Sequence, residues 1–200
     1  MVNRPASAVE WARSFVAPAL KEGSVAVDAT AGKGNDTLFL AESVGSTGKV
    51  FAFDIQEQAL QKTREKLHLA GVADRVVLLM ENHRQMKNFI SLPLDAVMFN
   101  LGYLPGSDRS VVTEPANTVE AMVSALEMLS ARGRMSVVVY TGHPGAAAEA
   151  RSVAVLAATL DSSFTVLKTT FWNGPLHSPE IYFFARAGEA FENLPAEKNS

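Results

Sequence analysis

The stretch Ser24–Asp54 constrains the fold of this chain more than any other part of the sequence. An apolar run ends in Asp28, and a turn of small residues follows, with glycines at Gly32 and Gly34. A helical pattern comes next, and then a second apolar run that ends in a second carboxylate, Asp54. This order of strand, glycine turn, helix, strand and acid is typical of the first half of a nucleotide-binding βαβ unit.

The glycines and the second acid each have a physical role in such a unit. Gly32 and Gly34 permit positive φ and leave no Cβ between the backbone and a ligand. The helix, which we expect to begin near Asn35, presents free backbone N–H groups in its first turn. Asp54 follows the glycine turn by about twenty residues, where it could accept both ribose hydroxyls of an adenosine.

The details of the turn indicate which adenosine cofactor to expect. Thr37 occupies the third-glycine position of a dinucleotide fingerprint, and Lys33 is followed by glycine rather than by the Ser or Thr of a P-loop. The order Asp-x-x-x-Gly-x-Gly resembles motif I of class I S-adenosylmethionine (SAM) methyltransferases. Asp28 would pair with a sulfonium or an amine but repel a pyrophosphate. We therefore expect SAM as cofactor and S-adenosylhomocysteine as product, with NAD binding or a ligand-free turn as alternatives.

Composition limits the remaining possibilities. The 200 residues are 48% apolar and 20% charged, which suits one α/β domain. The chain has no cysteine, which excludes disulfides, thiolate metal sites and methylation of pyrimidine C5 through a cysteine nucleophile. A formal charge of −3 does not favour nucleic-acid binding, so RNA contact would depend on local basic patches. No segment has the length of a membrane span, and we expect a cytoplasmic protein without a metal.

The apolar periodicity predicts the other elements of an alternating α/β fold. Beyond the two strands already described, we expect strands over Arg75–Met80, Leu94–Phe99, Met135–Tyr140, Phe164–Phe171 and Ile181–Arg186. Besides the helix after the glycine turn, we expect helices over Pro5–Leu20, Gln56–Ala70, Glu114–Leu129 and Ala146–Leu160. The predicted fold is a Rossmann-like class I methyltransferase domain over residues 1–187. Its seven-stranded, mostly parallel sheet carries helices on both faces and ends in an antiparallel hairpin, and residues 188–200 form a polar, frayed tail.

Ligands of open α/β sheets bind beyond the carboxyl ends of the strands, so polar residues at those ends are candidate site residues. Asn82 could read the edge of the adenine, and His83 could either serve the site or pack the next helix. Asn100–Tyr103 resembles the Asn/Asp-Pro-Pro-Tyr/Phe loop of amino methyltransferases, although Leu101 and Gly102 stand in place of the prolines. In such a loop the amide oxygen orients the target amine and the aromatic ring packs on the substrate, so catalysis is mostly alignment. Tyr103 could alternatively be a packing residue.

Further candidates surround the predicted amine site. His143 could act as a base or proton relay because a primary amine must lose a proton before it attacks, or it could be structural. Asp108 is a polar residue that could order its loop. Candidate RNA contacts are cations and exposed aromatic rings: Arg84, Lys87, Arg109, Arg132, Arg134, Tyr103, Phe171 and Trp172.

The sequence as a whole resembles the MnmM (YtqB) family over about Pro5–Arg186. The segments Asp28–Ala41, Asp54–Gln56, Phe99–Asp108 and Tyr140–Gly145 carry the resemblance. The family resemblance implies a SAM-dependent methyltransferase that converts 5-aminomethyl-2-thiouridine at the tRNA wobble position to 5-methylaminomethyl-2-thiouridine. Carried over by position, the cofactor residues would be Gly32, Asn35, Asp36, Asp54, Gln56 and His83. The residues near the amine would be Asn100, Tyr103, His143 and Asn173.

Two other functions are compatible with the sequence. The acidic balance and the lack of a separate RNA-binding domain are compatible with a small-molecule N- or O-methyltransferase. A non-catalytic SAM-binding protein would share the glycine turn. With tRNA as substrate, the expected partner is the anticodon loop, and a homodimer would widen the surface of so small a domain.

Overall fold

A seven-stranded sheet organises the computed structural model, which describes residues 7–102, 114–142, 145–172, 174 and 178–188. The strands are β1 (Val25–Asp28), β2 (Lys49–Phe53), β3 (Val76–Leu79), β4 (Leu94–Leu101), β5 (Leu129–Val139), β6 (Phe164–Thr170) and β7 (Glu180–Arg186). Their order across the sheet is β3-β2-β1-β4-β5-β7-β6. Strands β1 to β5 run parallel, and β7 is antiparallel to both of its neighbours. The predicted sheet with its antiparallel final hairpin is confirmed.

Six α-helices cover the two faces of this sheet within the described ranges. They are α1 (Ala8–Val16), α2 (Asn35–Ser43), α3 (Glu57–Leu69), α4 (Met86–Phe89), α5 (Pro115–Met128) and α6 (Ala146–Thr159). One apolar core contains residues of α1, α2 and α3, and another contains residues of α4, α5 and α6. Because the sheet is covered on both faces, its central strands are almost continuously buried, and polar groups are confined mainly to the strand ends.

The first helix shows how local sequence sets an element boundary. Ser7 caps α1 through a capping box, in which its hydroxyl accepts from the N–H of Glu10 and the Glu10 carboxylate accepts from the N–H of Ser7. The helix ends at Val16 and passes into a single 3-10 turn over Ala17–Ala19 that contains a proline. The predicted helix over Pro5–Leu20 is therefore shorter in the structure.

The fifth strand is longer than the sequence predicts. We expected this strand to begin at Met135, but β5 already begins at Leu129. A register irregularity opposite Leu94 lets the chain pair with β4 before the apolar run starts. Gly133 makes this close passage possible, because a Cβ there would lie 2.6 Å from the Leu94 carbonyl oxygen.

Arg134 joins the first helix to this strand instead of forming a surface patch. Its side chain is buried, its Nη1 donates to the Phe15 carbonyl at 2.9 Å, and its guanidinium lies 5.2 Å from the centre of the Phe15 ring. Arg132 and Arg134 lie toward the amino end of β5, away from the edge where the strands end. The prediction that Arg134 is available to RNA is therefore wrong, and Arg132 lies at the opposite edge from the candidate site.

Candidate functional site

The glycine turn after β1 has the predicted conformation. Gly32 and Gly34 adopt φ values of 52° and 72°, in the left-handed region that favours glycine. Gly34 is the N-cap of α2, and its N–H donates to the Ala31 carbonyl at 2.8 Å. Asn35 begins the helix and is exposed, and its amide oxygen accepts from Lys66 of α3. The turn therefore presents backbone and a helix N-terminus at the carboxyl edge of the sheet.

Asp28 lies beneath this turn and holds it in place. Its carboxylate accepts from the Thr37 hydroxyl at 2.6 Å and from the Thr30 N–H at 3.1 Å, and the residue is only 1% exposed. Burial, with repulsion from Asp36 as a second cause, raises the pKa of Asp28 to about 7. We predicted that Asp28 would contact the cofactor. Its burial and its hydrogen bonds indicate instead that it anchors the glycine turn.

Asp54 connects the end of β2 to the same turn. One carboxylate oxygen accepts from the Gly32 N–H and the other from the Gln56 N–H, each at 2.9 Å. Gln56 is the N-cap of α3. Burial raises the pKa of Asp54 above its ordinary value, while these backbone donors oppose the change. Each carboxylate oxygen can accept more than one hydrogen bond, so Asp54 keeps the capacity to bind hydroxyl groups.

Asn82, which follows β3, caps a short turn and is also a predicted site residue. Asn82 caps the short turn over His83–Gln85, where its amide oxygen accepts from the Arg84 N–H at 3.0 Å. This contact leaves the Asn82 amide nitrogen for any reading of an adenine edge. The predicted adenine contact stays a prediction.

His83 is buried against the turn that follows β1. Its Nδ1 lies 3.0 Å from the Ala29 carbonyl oxygen, and because a carbonyl only accepts, Nδ1 carries the proton. Burial lowers the pKa of His83, which favours the neutral imidazole. Its Nε2 is then a buried acceptor without a partner among the described residues. Such an atom suits a donor group on a ligand.

Asn100, at the end of β4, has the most informative surroundings. Its N–H donates to the Thr30 hydroxyl at 2.8 Å, and its Nδ2 donates to Asp36 at 2.7 Å. Asp36 also accepts from Nε of Arg13, likewise at 2.7 Å. The amide oxygen of Asn100 is buried and has no partner among the described residues. The structure thus brings three predicted residues, Asp28, Asp36 and Asn100, to one side of the glycine turn.

Sequence reasoning missed the polar residues that hold this arrangement. Thr30 and Thr37 flank the glycine turn, and hydroxyls at those positions were the available signal. Arg13 gave no such signal, because its partner lies 23 residues away in sequence. Tyr140 follows β5 and packs against Gly102, where a Cβ would lie 3.2 Å from the tyrosine ring. Burial, and then the charge of Asp36, raise the pKa of Tyr140.

Several predicted site residues lie outside the described ranges. These are Tyr103, Asp108, Arg109, His143 and Asn173. Of the predicted RNA contacts that are described, Lys87 pairs with Glu127 and Arg84 donates to Asn117 at 3.2 Å. Trp172 follows β6 and is 98% exposed. Within the described ranges, no helix is long and apolar enough to cross a membrane, and no three His, Cys, Asp or Glu side chains form a metal site.

Comparisons with known proteins agree with this architecture. The sequence family described as Putative rRNA methylase matches residues 50–185. The chain is 34% identical over 178 residues to the chloroplastic tRNA (mnm(5)s(2)U34)-methyltransferase of Arabidopsis thaliana, across 84% of this chain. It spans 65% of the length of that relative.

Two solved structures resemble the chain over nearly their whole length. A putative rRNA-methylase from Clostridium thermocellum is 38% identical with a TM-score of 0.88, over 92% of this chain and 99% of that one. A putative methyltransferase from Streptococcus mutans in complex with S-adenosylhomocysteine is 37% identical with a TM-score of 0.82, over 93% and 99%. The glycine turn, Asp54 and the buried Nε2 of His83 are compatible with such a cofactor. The chain therefore belongs to the family of SAM-dependent methyltransferases that is described as Putative rRNA methylase.

Proposed function

We propose that this protein methylates the exocyclic amine of 5-aminomethyl-2-thiouridine at the wobble position of tRNA, forming 5-methylaminomethyl-2-thiouridine. The observation that carries the proposal is the buried amide oxygen of Asn100 beside the glycine turn, which has no hydrogen-bond partner among the residues that the structure describes. The N–H groups of a primary amine can donate a hydrogen bond to this oxygen. The Arabidopsis relative, whose name specifies a tRNA wobble uridine, supports the choice of substrate.

The chemistry needs alignment and the loss of a proton. SAM supplies a methyl carbon bonded to a positively charged sulfur. The neutral amine forms a nitrogen–carbon bond as the carbon–sulfur bond breaks, and the electron pair of that bond stays on sulfur. An acceptor for one amine N–H directs the nitrogen lone pair toward the methyl carbon, which is the orienting role we assign to Asn100. We assign the removal of the amine proton to His143, with Tyr103 and Asn173 beside the substrate.

Residues of the glycine turn and the neighbouring strand ends hold the cofactor in this proposal. Asp54 binds the ribose hydroxyls, and the backbone at Gly32 and Gly34 approaches the ligand closely. The buried Nε2 of His83 accepts a hydrogen bond from a donor group of the cofactor. Asn35, Gln56 and Asn82 complete the cofactor set in this proposal, whereas Asp36, also predicted as a cofactor residue, contacts Asn100 and is not assigned to the cofactor. Asp108 and Arg109 extend the substrate side.

Methyl transfer from labelled SAM to tRNA tests the proposal directly. The substrate is tRNA that carries the aminomethyl group and lacks the final methyl, and the product is identified by nucleoside analysis. We expect 5-methylaminomethyl-2-thiouridine with the wild type and a strong loss with Asn100→Ala. No transfer to intact tRNA by a protein that binds SAM would overturn the proposed substrate. Activity that Asn100→Ala leaves unchanged would remove Asn100 from the amine site.

A small-molecule amine is the second candidate, because the formal charge of −3 gives no general attraction for RNA. Transfer to free 5-aminomethyl nucleosides or to simple primary amines, but not to tRNA, would favour it. With tRNA as substrate, we propose a cytoplasmic location and recognition of the anticodon loop. A homodimer is part of this proposal, and light scattering at the concentration of the assay would show its mass.

A further inference from the structure

We propose that Asp36, held by Arg13, fixes the orientation of the Asn100 side-chain amide so that its oxygen faces the target amine. Both residues would then be positioning residues for methyl transfer. The inference rests on the proposed function, because it explains how the acceptor of that function is oriented.

Three side chains form a continuous chain of contacts from α1 through α2 to β4. Nε of Arg13 donates to Oδ1 of Asp36, and Nδ2 of Asn100 donates to Oδ2 of the same carboxylate, each at 2.7 Å. Asp36 is 7% exposed, so solvent competes weakly for these contacts. The guanidinium of Arg13 also lies 5.5 Å from the centre of the Phe39 ring, which restricts it further.

The chemistry of the carboxylate determines which way the amide faces. An ionised carboxylate only accepts hydrogen bonds, so the group facing Asp36 must be the NH2 of Asn100. The reverse orientation would place two oxygen atoms against each other at 2.7 Å. The amide oxygen is therefore directed away from Asp36, and it is the atom that lacks a partner among the described residues.

The backbone of Asn100 is also held in place. Its backbone N–H donates to the Thr30 hydroxyl, and Thr30 belongs to the turn that Asp28 anchors. The contact of Nδ2 with Asp36 then restrains the side chain and the rotation of its amide. An acceptor that already has the correct orientation does not need to reorient during the reaction. Such preorganised groups raise the rate for this reason.

Asp36→Asn tests this inference with a nearly isosteric change. The new amide can donate as well as accept, so Asn100 can turn its oxygen toward residue 36 and its NH2 toward the substrate. We expect kcat to fall by about tenfold or more, while the Kd of SAM changes by less than about threefold. A rise in the Kd of SAM as large as the loss in kcat would assign Asp36 to the cofactor and overturn the inference.

A double-variant cycle separates positioning from general damage. If Asp36 acts through Asn100, then Asp36→Asn has little further effect on kcat in an Asn100→Ala background. Losses that multiply would contradict the inference. Asp95→Asn is the matched control, because Asp95 is a half-buried acid at the other end of β4 that accepts from Val25 N–H and Ser130. We expect it to lower the melting temperature without changing kcat.

The Asn100 amide itself gives a readout that does not depend on tRNA. In 15N spectra we expect its NH2 signals, identified by their absence in Asn100→Ala, to shift strongly in Asp36→Asn and not in Asp95→Asn. Unchanged signals would overturn the inference. A wild type that never methylates tRNA would refute the proposed function, and the spectra would still decide whether Asp36 holds the amide.

Discussion

The carboxylate of Asp54 accepts a hydrogen bond of 2.9 Å from the backbone N–H of Gly32, which joins the end of β2 to the turn after β1. This contact places a charged acceptor beside the position where a glycine allows close approach of a ligand. It also means that a change at Asp54 affects both the shape of the turn and the predicted ribose site.

We expect Asp54→Ala to weaken SAM binding by at least about tenfold, because the turn loses an anchor and the ribose loses its acceptor. Isothermal titration calorimetry would measure the Kd. Glu57→Ala is the control, since Glu57 is an exposed acid in the first turn of α3 and should leave the Kd unchanged. Unchanged affinity in Asp54→Ala would remove Asp54 from the ribose site.

Gly34→Ala should destabilise the protein more than Gly71→Ala does. A Cβ at Gly34 would lie 2.8 Å from the Thr63 hydroxyl and 2.9 Å from the Thr63 Cα, whereas one at Gly71 would meet nothing within 4 Å. Both glycines have positive φ, so both variants carry a backbone cost of about 1–2 kcal/mol, and the clash adds to it only at Gly34. Urea unfolding would measure the difference, and equal losses would show that α3 moves aside freely.

The acid beneath the turn should make stability depend on pH. Because the pKa of Asp28 is raised to about 7, the folded state holds a proton that the unfolded state releases near its ordinary value of 3.8. The resulting stabilisation is complete below the unfolded value and is lost as pH rises through the folded one. We expect the unfolding free energy of the wild type to fall, relative to Asp28→Asn, between pH 5 and pH 8. The comparison cancels the opposite trend of His83, whose lowered pKa favours folding as pH rises. A constant difference across this range would contradict the shift.

Trp172 should contribute to RNA binding without contributing to stability. Its side chain is 98% exposed, and β6 ends at the same edge of the sheet as β5. Stacking of an unpaired base on an aromatic ring contributes about 1–3 kcal/mol. We therefore expect Trp172→Ala to weaken tRNA binding about tenfold, measured by fluorescence anisotropy, with an unchanged melting temperature. Leu69→Ala is the control, since Leu69 is 91% exposed at the end of α3. Equal affinities in the two variants would exclude stacking on Trp172.

His143→Ala should lower turnover more at neutral pH than at alkaline pH. The target amine is a cation at neutral pH and needs a base, whereas at high pH it is already neutral. Pre-steady-state rates between pH 7 and pH 10 would test the assignment. A loss of the same factor at every pH would indicate that His143 has a positional role.

Much of the fold was predictable because its signals are local. The apolar runs, the glycine turn and the acid that follows β2 lie within one short stretch. The alternation of strands and helices along the rest of the chain predicted a mostly parallel sheet with a final antiparallel hairpin. The start of β5 was not predictable in this way. Its first half has no continuous apolar run, and this part pairs with β4 only at Leu129 and Arg134, on either side of a register shift. The prediction that Arg134 contacts RNA was wrong for a related reason. The buried guanidinium donates to the Phe15 carbonyl, which is distant in sequence.

Some residues of the candidate site were likewise predictable from local sequence, and others depend on contacts between distant parts of the chain. The positions of Gly32, Gly34, Asp54 and Asn100 were predictable because each lies at the end of a strand or shortly after one. The role of Asp28 as an anchor depends on Thr30 and Thr37, and the contact of Arg13 with Asp36 joins elements that are far apart in the chain. The packing of α1 on the sheet brings such partners together, and the spacing of residues in the sequence does not predict these contacts.

The packing of α1 on β5 also has a practical consequence for protein engineering. A shortened chain that starts at β1 would lack the Phe15 carbonyl that accepts from the buried guanidinium of Arg134, and it would lack Arg13, which donates to Asp36. Truncation for crystallisation should therefore stop before Ser7, whose capping box begins the helix. A circular permutant or a split version that separates α1 from the sheet should likewise need reassembly of this helix to recover a folded protein.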